Sequence, residues 1–133
     1  MNTAEIDLIK TSWQAVLPIK TQAAELFYGR LFQLDPLLRP LFTGDMTEQG
    51  NKLMAMINTV VINLGQLDTL VPAIQDLGKR HTGYGVKNAD YAKVGEALIW
   101  TLQTGLGDKF TKQTEAAWLQ AYTILSQTMI NAT

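Results

Sequence analysis

Apolar residues recur three or four positions apart along nearly the whole chain, and no stretch shows the period-two alternation of a half-buried strand. A chain with that pattern must pack helical stripes against one another. The first stripe is Ile6, Ile9, Trp13 and Val16, with Thr3 placed to cap it, Glu5 and Asp7 near the positive end of its dipole, and Pro18 marking its end. The second is Ala24, Phe27, Tyr28 and Leu31, ending near Asp35 and Pro36; a short helical stretch from 36 to 42 and a turn at 43–45 follow. Gln49, Leu53, Met56, Ile57, Val60 and Leu64 predict a third long helix, capped at Thr47 and stopping at Gly65. Leu70, Ile74, Leu77 and His81 predict a fourth, with Pro72 tolerable in its first turn and Gly83 and Gly85 ending it. Asn88 caps a fifth, carrying Tyr91, Val94, Leu98 and Leu102, and Trp118, Tyr122, Leu125 and Met129 mark the last. The expectation is an all-α domain spanning residues 1–133. Small residues at Ala24 and Gly50 on inward faces favour steep, close helix crossings over a near-parallel bundle.

Composition enters chiefly through what is missing. There is no Cys and a single His, which excludes disulfides, thiolate nucleophiles, iron–sulfur clusters and a four-ligand zinc site. The Glu-x-x-His motif of di-iron bundles is also absent, because Gly78 stands three residues before His81. Ser12 and Ser126 fall inside helical patterns, not on the sharp turns a serine nucleophile needs. With 11 basic and 12 acidic residues, and only Lys79 and Arg80 adjoining among the bases, no basic stripe matches a phosphate backbone, so nucleic acid is not an expected partner. No apolar run approaches the ~18 residues of a membrane span, and acidic residues stand where a signal peptide would be apolar; a cytoplasmic protein is the default expectation.

Three polar residues lie on faces that should be buried: His81, Gln49 and Tyr28. Burying each without a partner would cost roughly 1–3 kcal/mol. Each has an ordinary explanation: a satisfied core imidazole, a solvated first-turn amide, and a core tyrosine with its hydroxyl at the rim. The sharper alternative gathers all three around one non-protein group. Iron in a porphyrin needs a single protein ligand, commonly a neutral imidazole, and leaves its opposite face open. A helical His81 also has a ready partner for its second ring N–H in the backbone carbonyl one turn earlier, near Leu77, which would fix its tautomer.

Leu26-Phe27-Tyr28-Gly29-Arg30-Leu31-Phe32, Asp35-Pro36 and Arg39-Pro40-Leu41-Phe42 resemble the early helices of bacterial globins. Gln49 with Leu53, Leu77-Gly78-Lys79-Arg80-His81, Tyr91, Val94-Gly95, Ala117-Trp118 and Ala121-Tyr122 continue the resemblance in the same order over essentially the whole chain. It is nearest to single-domain haemoglobins of the flavohaemoglobin type. The resemblance implies a three-over-three helical sandwich around haem b (iron protoporphyrin IX). It makes His81 the proximal iron ligand, puts Phe42 on the porphyrin, and turns Tyr28 and Gln49 toward the gas with Leu53 as the apolar wall beside them. Leu77, Val86 and Val94 would line the proximal side, Tyr91 would stand close to the proximal histidine, and Lys52 and Arg80 suit the haem propionates. Two departures accompany it. No third glycine of a dinucleotide fingerprint follows Gly83-Tyr84-Gly85, so a reductase, where the chemistry needs one, would be a separate partner. Thr133 falls where the family places a glutamate beside the proximal imidazole, which argues against peroxidase-like chemistry.

The implied function is reversible, high-affinity O₂ binding for storage, delivery or scavenging, with NO and CO as further ligands. The alternative is a nitric oxide dioxygenase drawing electrons from an external reductase. A haem-free interaction or sensory module, with His81 as plain core, is the third. With one histidine, a second imidazole cannot take the sixth iron position. Ile99-Trp100 and Met129-Ile130 are candidate apolar patches for self-association.

Overall fold

Side-chain caps fix where three of the six helices begin, at Asn2, Asp45 and Thr111. The Asn2 side chain accepts from the Glu5 amide at 2.8 Å while the Glu5 carboxylate accepts from the Asn2 amide at 3.1 Å. This reciprocal box makes Asn2, not Thr3, the cap of α1 (Thr3–Val16). The computed structural model describes residues 1–133, and its further helices are α2 (Lys20–Leu34), α3 (Met46–Ile62), α4 (Val71–Gly83), α5 (Asp90–Leu106) and α6 (Lys112–Asn131). Short 3₁₀ segments occupy Leu17–Ile19, Pro36–Leu41, Leu64–Leu70 and Gly107–Lys109.

Several expected boundaries shift by one to three residues. Asp45, not Thr47, caps α3, its carboxylate accepting from the Thr47 amide at 2.7 Å. α3 ends at Ile62, because the Asn63 side chain folds back to donate to the Thr59 carbonyl at 2.8 Å. The chain then bends by 109° between Met46–Ile62 and Leu64–Gly83, so Leu64 lies in the turn and Leu70 is the cap of α4. Asn88 does not cap α5; the carboxylate of Asp90 reaches back instead, accepting from the Lys87 amide at 2.9 Å.

The helices form two layers of three, α1, α3 and α4 over α2, α5 and α6, and α2 against α5 and α4 against α6 are the most extensive pairings. Close crossings depend on small residues at two points. A Cβ on Gly50 would stand 3.0 Å from that of Ala24, so α2 and α3 cross at the separation expected of small inward residues. A Cβ on Gly78 would fall 2.4 Å from the Met129 carbonyl oxygen, so α4 lies directly on the α6 backbone. The main core gathers Ile9, Trp13, Val16, Ile57, Leu102 and Trp118 between the layers. Its two indoles are satisfied: Trp13 Nε1 donates to Asn58 Oδ1 at 2.9 Å and Trp118 Nε1 to Ser12 Oγ at 2.8 Å. Ser12 and Ser126 sit in helices and donate to main-chain carbonyls. No single helix is long and apolar enough to cross a membrane.

Candidate functional site

The apolar stripe of α4 delivers His81 inward: Ile74 is buried, and Leu77 and His81 are half-buried. His81 Nδ1 lies 2.8 Å from the Leu77 carbonyl oxygen, one turn back, as the sequence predicts. A carbonyl can only accept, so Nδ1 carries the proton and Nε2 keeps its lone pair. Burial holds the His81 pKa below its usual 6.5; the neighbouring Arg80 charge acts the same way, and the Leu77 bond opposes them. A neutral imidazole with one fixed nitrogen and one free is the form that binds a metal.

The other expected site residues fall into two groups. On the α2 side, Phe42, Leu53 and Val94 pack against Phe27, Tyr28, Leu31, Leu38 and Ala97. On the α4 side, Leu77 and Val86 pack with Ile74, Tyr91 and Met129. Val94, expected beside Leu77 and Val86, therefore belongs to the α2 group, because α5 turns that face toward α2. Phe42, Leu53, Val94, Leu77 and Val86 are only half-buried, an apolar lining that protein alone does not cover.

Tyr28 is held by aromatic neighbours: edge-on to Phe27 and Phe42 with ring centres at 5.1 and 5.3 Å, and stacked on Phe32 at 6.1 Å. Burial pushes its pKa up to about 12, so the phenol keeps its proton. Its hydroxyl donates to the backbone carbonyl of Gln49 at 3.3 Å, a long bond that a better acceptor can displace. The Gln49 side chain lies by the turn before α3, its Nε2 3.7 Å from where a Cβ on Gly44 would stand. Tyr28 thus meets Gln49 through the main chain, a contact that side-chain reasoning does not anticipate.

Lys52 and Arg80 are exposed and make no ion pair or hydrogen bond. Thr133 is exposed and its hydroxyl donates to the Ile130 carbonyl at 2.8 Å. Ile99 and Met129 are buried, so neither apolar pair forms an exposed patch; Trp100 and Ile130 line a surface groove between α5 and α6.

Three features escape sequence reasoning. The exposed Tyr84 ring lies 6.1 Å from that of His81, placed there by the last turn of α4. The Tyr122 hydroxyl donates to the Tyr91 carbonyl at 2.6 Å and its ring fills the space left by Gly95, which ties α6 to the first turn of α5. Lys93 pairs with Asp35 at 2.5 Å, and that hydrogen bond holds the Asp35 carboxyl below its usual range. Contacts between residues 31 or 58 positions apart leave no trace in local periodicity.

No group of three or more His, Cys, Asp or Glu is placed to hold a bare metal ion. The only imidazole is that of His81, with Nε2 free, and such a donor set suits a prosthetic group whose metal needs one protein ligand.

The family model described as Globin matches residues 25–129. Neuroglobin from Danio rerio is 34% identical over 136 residues, covering 92% of this chain and 86% of its own length. Neuroglobin-1 from Oncorhynchus mykiss is 32% identical over 139 residues, covering 94% of this chain and 87% of its own. A bacterial globin from Campylobacter jejuni superimposes with a TM-score of 0.85 over 98% of this chain and 95% of its own, at 23% identity.

Proposed function

The chain belongs to the globin family, whose members bind gases through haem, and on that premise we propose a haemoglobin that binds O₂ reversibly and tightly. The observation that carries the reading is the His81 imidazole, held neutral with its Nδ1–H on the Leu77 carbonyl and Nε2 free; a protonated, buried Tyr28 supports it as the donor to the gas. Haem b, when bound, would supply an iron able to take a diatomic gas.

His81 would hold the iron, with the Leu77 carbonyl keeping the ring from turning. Phe42, Leu53, Val86 and Val94 would clasp the porphyrin and keep water out. Tyr28 would exchange its bond to the Gln49 carbonyl for one to the gas, and Gln49, from the first turn of α3, would act as a second and weaker donor. Tyr91 would buttress the α4 side through its packing with Leu77. Lys52 and Arg80, both without partners, would meet the propionates.

The motif set quoted above carries the likeness to haemoglobins of the flavohaemoglobin type; a cytoplasmic location and a reductase that keeps the iron reduced complete the proposed reading. The test is an O₂ equilibrium curve on the haem-loaded protein, followed by NO consumption with a generic flavin reductase. Tight reversible O₂ binding with little catalysed NO loss is the expected result. Sustained turnover of NO to nitrate would instead make the protein a dioxygenase, and failure to take up haem would remove both.

A further inference from the structure

We propose that Arg39 is a positioning residue for Tyr28: it anchors Phe42 and, through Phe32 and Phe42, sets the tilt of the phenol. Arg39 Nη1 donates to the Phe42 carbonyl at 2.8 Å, while the Phe42 amide donates to the Arg39 carbonyl at 3.1 Å. The two bonds run in opposite directions and close the end of the 3₁₀ segment Pro36–Leu41. The same guanidinium lies over the Phe32 ring, its central carbon 5.6 Å from the ring centre. Phe32 and Phe42 meet edge-on at 5.5 Å, and Tyr28 touches both. Arg39 therefore grips two of the three rings in this triangle.

Arg39 is exposed, and no carboxylate lies within ion-pair distance of it. A solvated cation would leave its head in water; this one folds it back onto its own turn and a neighbouring ring. Arginine suits both tasks, because its planar face lies on the ring while an in-plane N–H reaches the carbonyl. Lysine carries a compact point charge with no such face. The chain's path explains the need for an anchor. Tyr28 and Phe32 stand one turn apart on α2, so the helix spaces them. Phe42 lies beyond the 3₁₀ segment in extended backbone, with φ −103° and ψ 99°, ahead of the turn into α3. A shift of Phe42 relaxes the wall that Tyr28 meets edge-on, and a phenol that tilts loses the direction its O–H needs. The consequence for gas rests on the reading of Tyr28 given above; the anchoring of the rings does not.

Arg39→Lys keeps the charge and removes the fork and the stacking face, at an exposed position that the fold tolerates. In the haem-free variant, the ring-proton NMR shifts of Tyr28, which sense the ring currents of Phe32 and Phe42, should move while those of Tyr91 and Tyr122 stay. Hydrogen exchange at the Phe42 amide should quicken severalfold. In the haem-loaded variant, O₂ release should quicken about three- to tenfold, and the C–O stretch of the carbon monoxide form should move toward that of Tyr28→Phe. Added to Tyr28→Phe, Arg39→Lys should change O₂ release by less than about twofold, whereas a general loosening of the fold would act in either background. Tyr28 shifts and Phe42 exchange that match wild type, or equal acceleration with and without the Tyr28 hydroxyl, would overturn the proposal. If Tyr28→Phe alone leaves O₂ release unaltered while Arg39→Lys still moves the Tyr28 shifts, the gas-donor reading falls and the anchoring stands.

Discussion

Replacing Tyr28 by Phe removes one oxygen atom from a ring whose place is otherwise set by Phe27, Phe32 and Phe42. The Gln49 carbonyl stays in the helical ladder of α3, so the stability change should be within about 1 kcal/mol. The effect on gas release is larger. O₂ draws electron density from ferrous iron, and a donor hydrogen bond to such a partly charged acceptor contributes roughly 1.5–3 kcal/mol. Against that stands the bond Tyr28 gives up to the Gln49 carbonyl, which at 3.3 Å contributes about 0.5–1 kcal/mol. The net, about 1–2 kcal/mol, corresponds to O₂ dissociation roughly 5- to 30-fold faster in the variant. Stopped-flow displacement of O₂ by carbon monoxide measures it, and carbon monoxide release serves as control, because that ligand gathers little negative charge. An unchanged O₂ rate, or equal acceleration of both gases, would refute Tyr28 as the donor. Because the phenol pKa is about 12, the wild-type rate should not vary between pH 6 and 9 on account of this group.

Gln49→Leu should change O₂ release by only about twofold in the same assay, since the amide sits beside Gly44 and forms at best a mobile second bond. Gly78→Ala drives a methyl into the Met129 carbonyl and should cost about 1–3 kcal/mol or more, seen as a lower Tm and weaker haem retention; an unchanged Tm would mean α4 and α6 are not in backbone contact. Ser12→Ala leaves the buried Trp118 indole N–H without its acceptor and should cost about 1–3 kcal/mol in denaturant titration. His81 has a folded pKa below its unfolded 6.5, so its effect on stability is nil above that pH. As acid is added, the unfolded state takes its proton first. Stability of the haem-free protein should therefore fall from about pH 6.5 down through the folded pKa, and His81→Gln should abolish that component of the pH dependence.

The stripes were legible because each helix buries one face, and a period near 3.6 survives in sequence whatever the tertiary arrangement. Tyr28, Leu31, Ile74 and Trp118 are buried as their spacing requires. Helix ends were less legible. Asn2 and Thr3 are both competent caps, as are Asp45 and Thr47, and only the geometry of the chain entering each helix selects between them. The 3₁₀ segment at Leu64–Leu70 keeps Leu64 buried, so its apolar pattern continues that of α3 although the helix has ended. In the site, the His81–Leu77 bond could be foreseen because it spans one helical turn. The Tyr28–Gln49 bond could not, because its acceptor is a main-chain carbonyl on another helix and any residue at position 49 would offer the same atom. Val94 shows the converse: its type marks it as lining, but which side it lines depends on the rotation of α5 against α2.

Everything functional depends on His81 Nε2 holding iron. Resonance Raman spectra of the ferrous haem-loaded protein report that bond through the iron–histidine stretch. Wild type should show the band, His81→Gly should lack it, and added imidazole should restore it with a shift when the imidazole is ¹⁵N-labelled. A His81→Gly protein that retains haem with the spectrum of wild type, unaffected by imidazole, would contradict the assignment and leave the iron to some other side chain.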